Sequence, residues 1–318
     1  MSHEPPPLHV VAAVLRDVRG RILLARRNGQ RELAGLWEFP GGKVEPGESA
    51  GAALTRELHE ELGIRLAADE SQPLICVAHR MPSGKRIRLD IYEVSCFRGR
   101  ARGMEAQAIT WVKPEQLGNY SMPEADIPAV AALTQPATYV DVDVGVHEST
   151  LARVLDAPRP LHGRGGVRLR LVLTGACQTR IAALEGVSAW ARQHAVDALL
   201  DTEVLGFETT SKLAQRFGFG LHLSEADLSQ LSDDGLDRAR VCAADCSGAP
   251  SLQRAQQLGL DFVRLAIADS DWVQVEALRE AVRLPFYLPS KDAASLALAR
   301  RHGVQGWNVP LTACLAAQ

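Results

Sequence analysis

Three glutamates recur at helical spacing in one stretch of the chain: Glu57, Glu60 and Glu61. They lie in Ser49 to Leu62, a run of good helix formers, and a helix would place all three carboxylates on one face. Uncompensated like charges at this spacing cost about 0.2–0.5 kcal/mol per pair. A hard divalent cation reverses that sign, because such cations are bound by carboxylates together with substrate phosphates. The spacing therefore indicates metal-dependent chemistry on a phosphate, with a solvated acidic helix face as the alternative.

The glutamates belong to a longer pattern. Gly42 precedes Glu48, and the run from Arg56 to Ile64 then reads Arg-Glu-Leu-His-Glu-Glu-Leu-Gly-Ile. A turn at Pro46-Gly47 lies before the predicted helix. A solvated acidic face requires none of these glycine, arginine and loop positions, so the whole pattern favours the functional interpretation.

The pattern Gly-x5-Glu-x7-Arg-Glu-Leu-x-Glu-Glu-x-Gly-Ile resembles the Nudix box, and residues 8–134 resemble the MutT-like branch of the Nudix hydrolases. The resemblance implies that water attacks a phosphorus of a nucleoside triphosphate, giving the monophosphate and pyrophosphate. It also implies bound Mg²⁺, with Mn²⁺ as an alternative. The implied metal ligands are the Gly42 carbonyl and the carboxylates of Glu57, Glu60, Glu61 and Glu105.

The same resemblance implies further roles at the reacting centre. Either Glu57 or Glu105 would take the proton from the attacking water, and the sequence does not choose between them. Arg56 and Glu48 would orient the helix through an ion pair. The triphosphate carries about four negative charges, so attack by water requires cations that neutralise the substrate and position the nucleophile.

Substrate contacts are implied at four positions. Arg27 and Lys85 lie where the family places cations for the phosphates, and Phe39 belongs to the Leu-Trp-Glu-Phe-Pro-Gly-Gly segment before the box. Asp126 occupies the position where the 8-oxo-dGTP hydrolases of this branch carry an asparagine that reads the oxidised purine.

The residue type at Asp126 does not decide which nucleobase is bound. An asparagine accepts from N7–H of 8-oxoguanine and donates to O6, whereas an ionised aspartate only accepts, so O6 would need another donor or a protonated carboxyl. The amine of cytosine suits an acceptor, and the Ala-Asp-Ile-Pro form also resembles the CTP and modified-dCTP pyrophosphohydrolases. We therefore expect 8-oxo-dGTP as the substrate, with CTP or a 5-modified dCTP as the alternative. A purely structural alternative is that Asp126 caps a helix.

A nucleotide-sensing or scaffold protein is the alternative from another class. In that interpretation the second half of the chain would bind a ligand or a partner. A protein that only binds nucleotides has no need of all three helix carboxylates, so the complete box favours an enzyme.

Composition restricts the remaining classes. The 318 residues are 46% hydrophobic and 23% charged, with a net charge of −3. This charge predicts no nucleic-acid partner and no binding to an anionic membrane surface. No apolar run is long enough for a spanning helix, so we expect a cytoplasmic protein, without predicting its oligomeric state. The six scattered cysteines are expected to be free, buried thiols.

The pattern of the first half predicts an α/β domain over residues 1–135, and the resemblance implies the Nudix α/β/α sandwich with a mixed sheet. Alternating apolar runs predict five strands, and a second helix is expected over 121–134, beginning around Pro123. The predicted strands cover residues 9–17, 21–27, 74–81, 86–97 and 108–112.

Residues 136–318 show a different rhythm, in which short apolar strands alternate with helices. Eight such units predict a (β/α)8 barrel. Because the segment is short for that fold, we expect clipped loops or an incomplete unit. The predicted strands cover residues 138–144, 167–173, 198–202, 218–223, 240–245, 262–267, 286–290 and 306–309.

The second half weakly resembles thiamine-phosphate synthase, through residues 217–228, 238–266 and 284–309. The residues that the family uses for substrate are replaced: Leu171 to Thr174 stand at the Gln-Leu-Arg-x-Lys strand end, and Pro289-Ser290 at the phosphate-binding glycine pair. Asp201-Thr202 stands for the metal-binding Asn-Asp. Proline removes a backbone donor and both side chains obstruct a phosphate. We therefore expect a barrel without synthase activity.

Overall fold

The structure is a computed structural model, and it describes residues 6–28, 33–66, 71–136, 138–145, 148–155, 166–173, 177–233, 235–267, 271–279, 283–289, 302 and 304–316. These residues form two compact units, and the main boundary between them lies between Thr134 and Gln135. In the described part of the chain, no helix combines the length and the apolar character that a membrane span requires.

The first unit is a mixed α/β structure built on two sheets. One sheet has the order β4-β1-β6-β5, in which β1 is parallel to β6 and antiparallel to β4. The other has the order β3-β2-β7 and is antiparallel. A short 3-10 helix, Pro114–Asn119, precedes the last helix. The elements are β1 Leu8–Leu15, β2 Ile22–Arg26, β3 Trp37–Glu38, β4 Gly41–Lys43, α1 Ala50–Leu62, β5 Ser71–Arg80, β6 Arg86–Val94, β7 Ile109–Val112 and α2 Ile127–Thr134.

Helix α1 has a clear beginning, a clear end and one apolar face. The Ser49 side chain accepts a hydrogen bond from the Ala52 amide at the beginning, and Gly63 ends the helix with φ of 68°. This left-handed conformation favours glycine. The apolar residues that α1 buries against β1 and its neighbours are Ala53, Leu54, Leu58 and Leu62. The glutamates at the intervening positions are thereby turned away from this core.

The second unit is a closed barrel of eight parallel strands, in the order β8 to β15. Its strands are β8 Thr138–Asp143, β9 Val167–Val172, β10 Asp197–Asp201, β11 Gly220–Leu223, β12 Cys242–Cys246, β13 Phe262–Leu265, β14 Phe286–Pro289 and β15 Gly306–Pro310. The described helices are α3 Glu148–Leu155, α4 Cys177–His194, α5 Gly206–Phe217, α6 Glu225–Gln230, α7 Ala249–Gln257, α8 Trp272–Arg279 and α9 Leu311–Ala316.

The predicted fold class is confirmed, and two details of the expectation are wrong. The barrel is closed by eight strands, so of the two expected alternatives the incomplete unit is excluded. Helix α2 begins at Ile127 rather than near Pro123, because Pro123 to Asp126 form a turn whose Pro123 carbonyl accepts from the Asp126 amide. Cys96 is exposed, whereas the other described free cysteines are buried. The alternating pattern of the second half also predicts a helix over residues 295–303, and most of these residues lie outside the described part of the chain.

Candidate functional site

The carboxylates of α1 lie against strand β4. Strand β4 pairs with β1, and this pairing brings the two consecutive glycines Gly41 and Gly42 beside the helix. The Gly41 amide donates to Glu61 Oε2 at 3.2 Å. A Cβ at Gly42 would overlap the Glu57 carboxylate, so only glycine leaves this carboxylate in place. The backbone of Gly41 and Gly42 therefore meets the carboxylates of Glu57 and Glu61 at one point of the unit.

Arg56 holds the acidic residues around it. Its guanidinium makes two hydrogen bonds to the two oxygens of Glu48, at 3.0 and 2.9 Å, and also donates to Glu57 Oε1 at 2.9 Å. Weaker contacts reach Glu60 Oε2 at 3.3 Å and the Lys43 carbonyl at 3.0 Å. The hydrogen bonds that Arg56 donates to Glu48 and Glu57 hold its pKa above its ordinary value. Arg56 thus joins the loop before α1, strand β4 and the helix.

The surroundings of Glu61 disfavour its ionised form. Burial raises the pKa of Glu61 to about 7, and the negative charges of Glu38, Glu57 and Glu105 raise it further. The hydrogen bond from the Gly41 amide opposes this rise. Carboxylates that repel each other at a partly buried position are suited to a divalent cation, which replaces the repulsion by attraction.

A cavity of about 950 Å³ opens beside these carboxylates. Most of the residues predicted to act on the substrate line it, namely Arg27, Phe39, Gly42, Glu57, Glu61, Lys85, Glu105 and Asp126. Glu60 lies outside the lining, and 55% of its side chain is exposed. Arg56 and Glu48 also lie outside it, consistent with contacts that position Glu57.

Glu38 was not singled out by the sequence pattern, yet it lines this cavity and acts on both Glu61 and Asp126. Strand β3 places Glu38 opposite Ala25 of β2, and Arg27 Nη1 donates to Glu38 Oε2 at 2.6 Å. The charge of Glu38 acts on the pKa of both Glu61 and Asp126. Only the pairing of two strands distant from α1 in the chain could have indicated this residue.

Asp126 lies at the other side of the cavity with 4% of its surface exposed. Burial raises the pKa of Asp126 well above its ordinary value; the charge of Glu38 raises it further and that of Arg27 lowers it. Arg27 is itself paired with Glu38, so it compensates Asp126 only in part. The Asp126 backbone carbonyl, rather than its side chain, accepts the first bonds of α2 from Ala129 and Val130. Asp126 is thus a buried carboxyl group facing the cavity, and its surroundings favour the protonated form.

The donor set fits a divalent cation bound together with substrate. Among the described residues, no three His, Cys, Asp or Glu side chains enclose a metal position by themselves. Mg²⁺ is commonly held by one or two carboxylates, with water and substrate phosphates completing its shell. Glu57 and Glu61 beside the Gly42 backbone supply such a partial shell.

Comparisons with known proteins find similar sequences for the first unit. The family model for the NUDIX domain matches residues 11–132. The chain is 46% identical over 126 residues to the CTP pyrophosphohydrolase of Escherichia coli K12, covering 39% of this chain and 90% of that relative. It is 30% identical over 126 residues to the 8-oxo-dGTP diphosphatase of the same organism, covering 40% of this chain and 95% of that relative.

Among solved structures, the solution structure of the E. coli ORF135 protein is similar to the first unit. The sequence identity is 41%, the match covers 40% of this chain and 91% of that chain, and the TM-score is 0.36. These shares correspond to less than half of the present chain.

Proposed function

Because this chain belongs to the NUDIX family, we propose that its first unit is a nucleoside-triphosphate pyrophosphohydrolase whose preferred substrate is 8-oxo-dGTP. The products are the monophosphate and pyrophosphate. The observation that carries the proposal is the single cavity of about 950 Å³. Its lining combines Glu57 and Glu61 with Asp126, a buried carboxyl whose pKa is raised well above its ordinary value.

NUDIX hydrolases generally need a divalent metal, and the one proposed here is Mg²⁺. Its ligands would be the Gly42 carbonyl and carboxylates drawn from Glu57, Glu60, Glu61 and Glu105. When bound, Mg²⁺ neutralises the charge of the phosphates and makes the attacking water more acidic. Glu60, which is the most exposed of the α1 glutamates, would have to turn from Arg56 to reach the phosphates.

The side chains then have separate tasks. Glu57 or Glu105 takes the proton of the attacking water, as a carboxylate within reach of that water can do. Arg56, bridged to Glu48, keeps Glu57 directed at the reacting phosphate. Lys85 lies in the cavity lining and is suited to a terminal phosphate, whereas Arg27 acts through its pair with Glu38.

The raised pKa of Asp126 favours a protonated carboxyl, which would remove an objection to 8-oxoguanine. A protonated carboxyl offers one O–H donor and one carbonyl acceptor, which is the same pair of functions as an asparagine amide. It can donate to O6 of 8-oxoguanine while accepting from N7–H. Ordinary guanine presents two acceptors at these positions and lacks the N–H, so it would leave the Asp126 carbonyl without a donor.

CTP or a 5-modified dCTP is the second candidate substrate. The 46% identity to the CTP pyrophosphohydrolase of E. coli favours it. A neutral Asp126 also matches cytosine, whose amine donates and whose N3 accepts. Asp126 therefore does not distinguish the two candidate substrates, and other contacts to the base must do so.

We expect Asp126→Asn to keep kcat/KM for the preferred substrate within about tenfold of wild type, because the amide reproduces the donor and acceptor of a neutral acid. Asp126→Ala should lose about 1–3 kcal/mol of base discrimination. The measurement is kcat/KM for 8-oxo-dGTP, dGTP, CTP and 5-methyl-dCTP, with Glu124→Gln as the exposed neighbouring control. An unchanged substrate ranking in Asp126→Ala would show that Asp126 does not read the base.

Removing the metal tests the rest of the site. We expect a chelator to abolish pyrophosphate release from every nucleotide, since the carboxylates cannot neutralise a triphosphate on their own. Added Mg²⁺ should restore the activity. Full activity in the presence of excess chelator would contradict the proposed metal role.

A further inference from the structure

The second unit carries a polar layer across the inside of its barrel. Seven of the eight strands contribute one side chain each, and these side chains contact one another: Asp141, Arg170, Asp201, His222, Asp245, Arg264 and Asn308. Barrel interiors are dominated by Val, Ile and Leu, and buried charges contribute little stability compared with such residues. Stability alone therefore does not account for this layer.

The layer lies at the carboxyl ends of the strands, above an apolar floor. The floor consists of fully buried side chains, namely Tyr139, Leu199, Ala243, Phe262 and Tyr287. His222 connects the two levels, because its Nδ1 contacts the Tyr139 hydroxyl at 2.9 Å and its Nε2 contacts Asp245 at 3.0 Å. The carboxyl end of a (β/α)8 barrel is where the active sites of this fold are found.

Three members of the polar layer are accessible from solvent. The exposed side-chain fractions are 27% for Asp141, 18% for Asp245 and 17% for Arg264, against 7% for Arg170 and 2% for Asp201. The accessible residues therefore face the barrel mouth, and the others support them from behind.

Most of the polar atoms at the barrel mouth already have hydrogen-bond partners within the layer. Both oxygens of Asp245 have partners, because one accepts from His222 and Arg264 and the other contacts Arg170 at 3.4 Å. Arg264 uses Nε and Nη1, and Asp141 uses Oδ1. Among the described residues, Arg264 Nη2 and Asp141 Oδ2 have no partner. One donor group and one carboxylate acceptor thus remain available at the mouth.

Asn308 fixes the relation between these two open groups. Its Oδ1 accepts from Arg264 Nε at 2.7 Å, and its Nδ2 donates to Asp141 Oδ1 at 2.7 Å. A single amide therefore separates a guanidinium from a carboxylate. A ligand that satisfies both must carry an anionic group and an N–H donor only a few bonds apart.

The charges of the polar layer exclude a strongly anionic ligand. Three carboxylates face two guanidiniums, and His222 adds at most one positive charge, so no surplus positive charge is available for a dianion. Strand β14 also ends in Pro289, which offers no backbone N–H where barrels of this fold frequently bind phosphate. A carboxylate fits the open Arg264 Nη2 better than a phosphate, since its single negative charge needs less compensation from this layer.

We propose that the barrel mouth binds a small zwitterion, a free amino acid, with its carboxylate on Arg264 and its ammonium on Asp141. The ammonium then donates to Asp141 Oδ2, and the carboxylate accepts from Arg264 Nη2. Both groups are held in place by Asn308. This binding site is independent of the hydrolase site and needs no catalysis by the barrel.

The test uses the full chain and measures binding of the individual proteinogenic amino acids by calorimetry and by thermal shift. We expect saturable binding of at least one amino acid, and a rise of about tenfold or more in its Kd in Asp141→Asn and in Arg264→Gln. Arg216→Gln, which removes an exposed arginine of α5, should leave the Kd unchanged. Glycine betaine, which has the carboxylate but no N–H, should not bind.

Three results would overturn the proposal: absence of binding by every amino acid at millimolar concentration, an unchanged Kd in both variants, or tighter binding of inorganic phosphate than of any amino acid. Circular dichroism and pyrophosphate release by the first unit report whether each variant is folded. If Arg264→Gln does not fold, Asp141→Asn decides the test, since its amide can still accept from Asn308.

Discussion

Replacing Glu57 by glutamine is expected to lower kcat for nucleotide hydrolysis by roughly 10³-fold, a loss comparable to removing a main electrostatic contact of a transition state. Glutamine has the same size, and its amide oxygen can still accept from Arg56 as Glu57 Oε1 does at 2.9 Å. What disappears is a negative charge beside Gly42 and one of the two candidate bases for the attacking water. Steady-state pyrophosphate release at saturating Mg²⁺ measures the effect.

Glu115→Gln is the matched control for this change, because Glu115 is an exposed glutamate of the 3-10 helix Pro114–Asn119. It should leave kcat unchanged. The circular dichroism spectrum and thermal midpoint of Glu57→Gln should resemble those of wild type. A folded Glu57→Gln enzyme with near wild-type kcat would refute the assigned role of Glu57.

The grouping of the α1 glutamates on one helix face could be predicted from sequence because it is encoded locally. Glu57, Glu60 and Glu61 share a face by helical periodicity alone, and the Gly42 position follows from the same short pattern. Their neighbour Glu38 could not be predicted in this way. It reaches the cavity through the pairing of β3 with β2, a contact that no local periodicity reports.

The state of Asp126 likewise depends on tertiary structure. From sequence alone, the Asp126 side chain is either an acceptor for the base or a helix cap. An aspartate is ordinarily expected to be ionised. Burial to 4% exposure and the nearby charge of Glu38 instead raise the pKa of Asp126 well above its ordinary value and so favour the protonated acid. Neither quantity is accessible before the chain is folded, and this is why the base preference remained open at the sequence level.

In the barrel, too, the local elements could be predicted from sequence and the contacts between distant residues could not. Alternating apolar runs predicted its strands well, because each strand buries its own apolar residues. The polar layer was missed, although alternate charges within β8 and β9 were visible at Asp141 and Arg170. Their significance appears only when closure of the barrel brings them together with Asp245 and Asn308.

Gly42→Ala is expected to lower kcat by roughly 10²-fold while changing the thermal midpoint little. The added Cβ would overlap the Glu57 carboxylate, which is the end of a flexible side chain and can move aside at small cost in stability. The displaced carboxylate can no longer hold its position at the reacting phosphate, and a misplacement of about 1 Å can cost 10²-fold in rate. Stability and activity therefore respond differently to one methyl group.

Gly51→Ala provides the control, since a Cβ at this exposed position of α1 meets no atom within 4 Å. Alanine within a helix should stabilise it by up to about 1 kcal/mol and leave kcat unchanged. Paired measurements of kcat and thermal midpoint on both variants separate the two effects. If Gly42→Ala lost stability and activity in parallel, the close approach of Gly42 to Glu57 would serve the fold. If it lost neither, the Glu57 carboxylate would not need the position that the structure gives it.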